Sequence, residues 1–265
     1  MNTTAAIAVI PARFESTRFP GKPLVAKTGK PLIQHVVDRV RLAKRIGRII
    51  VATDDKRIFD VVTGFGCEAL MTRRDHTNGT SRIAETMAGL ANDPSGQPDV
   101  VVNVQGDEPQ IQPCLIDALV DALRAQPDRS GAPMATLASE FSDDEDPHDP
   151  NIVKVVVRPD HGQHRAMYFS RSVIPFNRNP PGCQSAARPL KHVGLYAYRP
   201  GFLLRYASLP PTPLEQTEQL EQLRALEHGH PIAVVITHAQ HHGIDTPEQY
   251  EAFVRWHTQQ QTGNP

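Results

Sequence analysis

Little in this chain points toward a membrane, a thiolate metal centre or a secreted scaffold. Its longest apolar runs are about seven residues, against the roughly 20 that a membrane-spanning helix needs. There are three cysteines, Cys67, Cys114 and Cys183. Their odd number, wide scatter and lack of a C-x-x-C spacing exclude a structural zinc site and a disulfide framework. The start, Met1-Asn2-Thr3-Thr4, carries neither a basic region nor a long apolar stretch, so no secretory signal is expected and the reducing cytoplasm is the expected location. An excess of one charge is also lacking: 28 Lys and Arg stand against 29 Asp and Glu, a formal net charge of −1. A whole-surface attraction to nucleic acid or to an anionic membrane is therefore excluded, and any anion site must be local. Histidines His238, His241 and His242 fall in a polar segment without a helical H-x-x-x-H pair, and read as structural or solvated rather than as metal ligands.

One stretch does concentrate positive charge. Ile10-Pro11-Ala12-Arg13-Phe14-Glu15-Ser16-Thr17-Arg18-Phe19-Pro20-Gly21-Lys22-Pro23-Leu24 follows the apolar, strand-prone run Ala5 to Ile10. It holds the cations Arg13, Arg18 and Lys22, the hydroxyls of Ser16 and Thr17, and a Pro-Gly turn signal. A loop of this kind leaving a strand suits an anion, phosphate first. It is not a Walker A loop, because Pro23 follows the lysine, and it is not G-x-G-x-x-G.

The rest of the chain supplies a frame for that loop. Ala5 to Ile10 reads as a buried strand, and Leu32, Ile33, Val36, Val37 and Val40 mark one face of a helix. Arg48 to Ala52 is a second strand, and Thr53-Asp54-Asp55 is a cap cluster for a helix ending near Phe65, with Gly66 as its stop. Glu68 to Met71 is a short strand, a helix begins at Thr80 or Ser81, and Val100 to Val104 is a continuous apolar strand. Pro113 then opens a helix through Leu123. Continuous strands alternating with helices mean a parallel sheet covered on both faces. The order then changes. Met134 to Ala138, Val153 to Val157, Arg165 to Phe169 and His192 to Tyr198 read as strands without intervening helices. Asp143 to Asp149 reads as a solvated acidic loop, and Asn177 to Pro189 as a lid-like connection. One amphipathic helix is expected over Thr212 to Gly229, a strand over Ile232 to Ile236, and a last helix from Pro247 capped by Thr246. The expected fold is thus a single α/β domain over 1–265: a Rossmann-like, mostly parallel sheet flanked by helices. The strand-rich sub-region at about 134–200 is an extension suited to dimerisation.

In doubly wound sheets ligands bind at the carboxyl ends of the strands. Each unusual loop leaves such an end: the basic loop after Ile10, Gln105-Gly106-Asp107 after Val104, and Gly243-Ile244-Asp245 after the strand ending at Ile236. A basic cradle with two carboxylates on one rim is the arrangement that phosphoryl transfer requires. Cations offset phosphate charge, and Asp107 and Asp245 are candidates to hold Mg²⁺, which binds through a few carboxylates plus phosphate oxygens.

The same residues carry a resemblance. Pro11-Ala12-Arg13-x-x-Ser16-Thr17-Arg18-x-Pro20-Gly21-Lys22-Pro23-Leu24 is similar to the signature loop of the sugar-acid cytidylyltransferases. Further segments resemble the branch that activates 3-deoxy-manno-octulosonate (Kdo). They include Asp75-His76-x-x-Gly79-Thr80, Val102 to Pro109, Tyr168-Phe169-Ser170-Arg171, His192-x-Gly194-x-Tyr196-x-Tyr198, Leu220 to Arg224 and Gly243 to Pro247. They stand in the family's order over about residues 5 to 255. The resemblance implies a nucleotidyltransferase of the nucleotide-diphospho-sugar transferase type, with CTP and Kdo as substrates, CMP-Kdo and pyrophosphate as products, and Mg²⁺ as cofactor. It implies a homodimer and a role in lipopolysaccharide assembly.

By motif, Arg13, Ser16, Thr17 and Lys22 fall on the triphosphate, and Arg74, Gly79, Thr80 and Ser81 on the cytosine. Gln105, Arg178, His192, Tyr196, Glu221 and Gln222 fall on the sugar acid, and Asp107 and Asp245 on the metal. Arg13, Lys22, Asp107 and Asp245 form the implied catalytic set; Arg18 has no assigned role. Phe14-Glu15 stands where relatives often have Tyr-Ala, so Glu15 is expected to face solvent. Phe176-Asn177-Arg178 replaces a Trp-Asp-Arg type of segment, which leaves Kdo and its 8-amino relative both open. A CMP-sialic acid synthetase and a non-catalytic nucleotide-binding module are the competing readings.

Overall fold

The apolar runs read from the sequence become the strands of a computed structural model. It describes residues 5–15, 18–91, 93, 97–126, 131–160, 162–179, 187–238 and 243–262. In chain order, β1 (Ala6–Ala12), α1 (Leu32–Val40), β2 (Ile46–Thr53), α2 (Lys56–Gly64), β3 (Glu68–Met71), α3 (Gly79–Gly89), β4 (Val101–Asn103) and α4 (Pro113–Arg124) alternate. The strands β5 (Met134–Glu140), β6 (Lys154–Asp160), β7 (Gln163–Ser170) and β8 (Leu190–Tyr198) follow without helices between them. The chain closes with α5 (Pro200–Tyr206), α6 (Pro213–Glu218), α7 (Gln222–Glu227), β9 (Ile232–Thr237) and α8 (Pro247–Thr262). No helix among the described residues is long and apolar enough to cross a membrane.

Two compact units result, one from 1–117 with 241–265 and one from 118–240. In the first, four parallel strands lie in the order β3-β2-β1-β4. β1 is buried from Ala6 through Ile10, and α1 buries Leu32, Ile33, Val36, Val37 and Val40 completely. At about 1.5–3 kcal/mol for each large aliphatic side chain removed from water, that face alone fixes α1. The returning segment packs Ile244, Tyr250 and Phe253 against Leu32. Successive strands β1, β2 and β3 build toward one edge, and β4 is added on the other side of β1. The sheet's switch point is therefore between the carboxyl ends of β1 and β4, where a crevice opens.

In the second unit, β5 pairs antiparallel with β8 and parallel with β9. β7 pairs with both β9 and β6, and β6 returns to β8, so the five strands close on themselves. Closure removes the free edges that a run of antiparallel strands otherwise exposes.

Three expectations are corrected. The predicted helix over Thr212 to Gly229 is two short helices, because Gln219 adopts a left-handed conformation (φ 51°) between them. Arg171 ends α6 by donating from Nε to the Glu218 carbonyl at 2.8 Å, while the Glu218 carboxylate accepts from Ser170 Oγ at 2.6 Å and Arg171 N at 2.9 Å. A cation on terminal carbonyls is a helix stop. Leu214 of α6 is 40% exposed, whereas Leu220 and Leu223 beyond the break are buried. The acidic loop is not simply solvated: Glu145 pairs with Lys191, and the fully buried Lys154 donates to the carbonyls of Asp149 and Ile152 at 3.0 and 2.7 Å. Finally, α3 starts at Gly79, its cap being Asn78, whose Oδ1 accepts from Ser81 N at 2.8 Å.

Candidate functional site

The basic loop is shaped by one glycine. Gly21 has φ +72°, and a Cβ on it would lie 3.1 Å from the Phe14 ring. Its N–H donates to the Phe14 carbonyl at 2.9 Å, so the loop folds back on itself. The Arg57 guanidinium covers the Phe14 ring, 3.3 Å from its centroid. A 3₁₀ turn, Lys22–Leu24, then aims Lys22 at the sheet's switch point. Ser16 and Thr17 lie outside the described residues. Glu15 is exposed but also lines both of the clefts that meet at Arg13, so it borders the site rather than turning wholly away from it.

A second glycine sets the opposite rim. A Cβ on Gly106 would come 2.8 Å from the Pro11 carbonyl, so only glycine lets the chain leaving β4 cross the end of β1 this closely. Asp107 follows directly, and its carbonyl accepts from Ile244 N at 2.9 Å, tying the loop before α8 to the loop after β4.

These elements converge on one ammonium. Lys22 Nζ lies 2.6 Å from Asp107 Oδ2, 2.7 Å from the Ile244 carbonyl and 3.5 Å from Asp245 Oδ1. Its side chain is 12% exposed, those of Asp107 and Asp245 30% and 44%. Arg18, on the outside, reaches Asp245 Oδ1 at 3.2 Å. Three hard oxygens around one cation form a donor set that suits Mg²⁺. Among the described residues no group of three or more acidic, histidine or cysteine side chains forms a self-sufficient metal cage. The pair therefore fits an ion that takes one or two carboxylates and completes its shell with phosphate oxygens and water.

Arg13 leaves the end of β1, and its guanidinium donates to the main-chain carbonyl of His76. Burial, and then the like charge of Arg82, pull Arg13 below its ordinary value, with Asp54 opposing; an arginine so placed keeps its charge. Two adjoining clefts meet at Arg13. One, of about 210 Å³, is lined by Ala12, Lys22, Gly79, Gln105 and Asp107. The other, of about 660 Å³, is lined by Phe14, Asp54, Arg57 and Arg74. Of the residues expected at the nucleotide, Arg13, Lys22 and Gly79 thus share one cleft with Gln105 and Asp107, and Arg74 faces its neighbour. Thr80 is buried, next to the Gly79 that lines the smaller cleft. The Ser81 hydroxyl is engaged at the helix start, 3.1 Å from both the Asn78 carbonyl and His76 Nδ1.

Two supporting pairs escaped the sequence reading. Arg82, fully buried on α3, donates to Asp54 Oδ2 at 2.6 Å and to Thr72 Oγ1. His76 is buried, with its Nε2 on Glu85, and Glu85 also accepts from Arg73 N at 3.1 Å. Burial would raise the Glu85 carboxyl, but the His76 bond and the Arg73 N–H together hold it below its usual value. A charged residue on the helix face that carries Ile83 and Thr86 was the available signal for Arg82.

The second unit holds the remaining candidates. His192 Nε2 is 2.9 Å from Thr136 Oγ1, and its ring meets Phe169 edge-on at 5.0 Å and Tyr196 at 5.5 Å. Burial, with Tyr198 and Glu221 nearby, pushes the Tyr196 phenol well above its ordinary value. The Glu221 carbonyl accepts from Tyr206 at 2.6 Å. Gln222 is 4% exposed, and its Nε2 has no partner among the described residues. Arg178 is exposed, and among the described residues no hydrogen bond or ring contact joins it to this group. His192, Tyr196 and Glu221 come together; Arg178 does not join them.

A cytidylyltransferase family model matches residues 7–232. A 3-deoxy-manno-octulosonate cytidylyltransferase of Syntrophobacter fumaroxidans is 51% identical over 94% of this chain and 95% of its own. An 8-amino-3,8-dideoxy-manno-octulosonate cytidylyltransferase of Shewanella piezotolerans is 45% identical, with 94% and 95% covered. A solved CMP:2-keto-3-deoxy-manno-octonic acid synthetase complexed with CTP superposes with a TM-score of 0.85 at 42% identity, covering 97% of this chain and all of that one. With a basic loop and paired carboxylates at its switch point and relatives this near over almost its full length, the chain belongs to the cytidylyltransferase family.

Proposed function

We propose that the protein joins the CMP moiety of CTP to Kdo, releasing pyrophosphate, and so supplies an activated sugar acid for lipopolysaccharide assembly in the cytoplasm. The observation that carries this reading is the meeting of Lys22, Asp107 and Asp245 beside Arg13 at the end of β1. The anomeric hydroxyl of the sugar acid gives up its proton to solvent as its oxygen forms a bond to the α-phosphorus of CTP. The bond from that phosphorus to the β-phosphate bridging oxygen breaks, releasing pyrophosphate. Arg13 and Lys22 oppose the triphosphate charge, with Ser16 and Thr17 assigned to the loop's hydrogen bonds. Arg74 and the start of α3 at Gly79, Thr80 and Ser81 take the cytosine. Gln105, Arg178, His192, Tyr196, Glu221 and Gln222 orient the sugar acid. Asp107 and Asp245 would hold Mg²⁺, which when bound neutralises phosphate charge and lowers the pKa of a coordinated hydroxyl. The protein's share is positioning and charge stabilisation more than covalent chemistry.

Asp107→Asn tests the reading. We expect CTP binding to survive largely intact while kcat falls by at least about 10²-fold, the mark of stabilisation lost in the transition state alone. Near-normal turnover would overturn the assignment. We further propose a homodimer formed through the strand-rich second unit, a reading supported by Met167 of β7, which is 59% exposed.

A further inference from the structure

We infer that Lys22 is an internal counter-ion that occupies the Asp107–Asp245 pair until nucleotide draws it away, so that divalent metal binds weakly to the nucleotide-free protein and tightly only together with nucleotide. The inference rests on the reading that this pair holds the metal.

The Lys22 ammonium has three donors and meets three oxygens: Asp107 Oδ2 at 2.6 Å, the Ile244 carbonyl at 2.7 Å and Asp245 Oδ1 at 3.5 Å. This is the contact set of a bound cation rather than of a lysine waiting in solvent, and the side chain is only 12% exposed. The oxygens do not depend on Lys22 to stay together. The Ile244 N–H to Asp107 carbonyl bond at 2.9 Å joins their two loops through the main chain. A metal ion and the ammonium would compete for the same carboxylate oxygens, and their mutual repulsion disfavours both being there at once. A lysine head rides on a flexible four-carbon stem, so it can leave for another anion without moving the backbone. A triphosphate is such an anion: Lys22 lines the cleft that Arg13, Gly79 and Gln105 also line. Departure of the ammonium would free the carboxylates for a metal arriving with that nucleotide. Arg18, held to Asp245 at 3.2 Å but 68% exposed, keeps part of the charge balance during the exchange.

The test uses Mn²⁺ as probe, its binding to the nucleotide-free protein followed by the loss of the free-ion signal in electron paramagnetic resonance. We expect weak binding to the wild type, at least tenfold tighter binding to Lys22→Met, and a return to weak binding in Lys22→Met/Asp107→Asn. Lys22→Arg, which keeps a cation, should stay as weak as the wild type. Lys22→Gln, which keeps polarity, should tighten as Lys22→Met does and stands in if that variant does not fold. Mn²⁺ binding no tighter in Lys22→Met and Lys22→Gln than in the wild type overturns the counter-ion role. In that event Asp107→Asn, titrated with Mn²⁺ in the presence of CTP, separates the two claims. Weakened binding leaves the metal reading standing without the counter-ion, and unchanged binding removes both.

Discussion

At the scale of single residues, the site depends as much on what is missing at Gly106 as on what is present at Asp107. A methyl group there would sit 2.8 Å from the Pro11 carbonyl and 3.4 Å from Ile33 Cδ1. The first neighbour is main chain and cannot rotate away. We expect Gly106→Ala to cost about 1–3 kcal/mol in urea unfolding, and also to lower kcat/KM for CTP about tenfold, because a shift of this segment carries Asp107 with it. Unchanged stability and activity in the same pair of assays would show that the close approach has no consequence. The glycine, the two aspartates and the cations were all legible in the sequence, because each lies in a loop leaving a strand end. The pairs Arg82–Asp54 and His76–Glu85 were not. Arg82 and Asp54 are 28 residues apart, and local spacing, which marks Arg82 as a charge on the inward face of α3, does not name its partner at a distant strand end. The burial of Thr80 at the start of α3 was not legible for a related reason, since its motif position says nothing of how far the chain covers it.

At the scale of elements, α1 and α8 meet around a histidine that sets a limit on stability. His35 is 8% exposed, its Nε2 is 2.6 Å from Thr28 Oγ1, and its ring packs edge-on against Phe253 and His257 at 5.1 and 4.8 Å. Burial first, then the charges of His257 and Lys30, hold its pKa down from 6.5 to about 4, with Asp38 opposing. The unfolded chain therefore takes up a proton below pH 6.5 that the folded chain refuses until about pH 4. This contribution is whole above pH 6.5 and is lost as pH falls toward 4, on the order of 3 kcal/mol in all. We expect urea unfolding midpoints to fall across this window in the wild type and to fall less in His35→Gln; parallel curves would contradict the assignment. The strands were legible because their apolar runs are continuous, and α2 because Asp55 is a strong cap whose Oδ1 accepts from Arg57 N at 2.9 Å. The break between α6 and α7 was not, since Arg171, which ends α6, lies 47 residues earlier than Glu218. Helix α5 escaped as well, although Pro200 at its first turn and buried Phe202, Leu203 and Tyr206 carry a helical spacing.

At the scale of the whole molecule, the first unit holds the nucleotide candidates and the second holds most of the acceptor candidates. Donor chemistry follows from a loop at a switch point and can be argued from charge alone. The acceptor candidates His192, Tyr196 and Glu221 are brought together from a strand and the start of a helix by pairing that no local pattern announces. The proposed dimer belongs at this scale too: light scattering should give twice the chain mass of 29.3 kDa, and a monomer mass would contradict it. The measurement that bears most directly on the central claim is pyrophosphate release from CTP with Mg²⁺, taken with Kdo, 8-amino-Kdo and sialic acid in turn. We expect turnover with Kdo and little with sialic acid. Turnover with sialic acid but not Kdo, or none from CTP with any of the three, would contradict the account, and a preference for the 8-amino sugar would contradict the choice of Kdo.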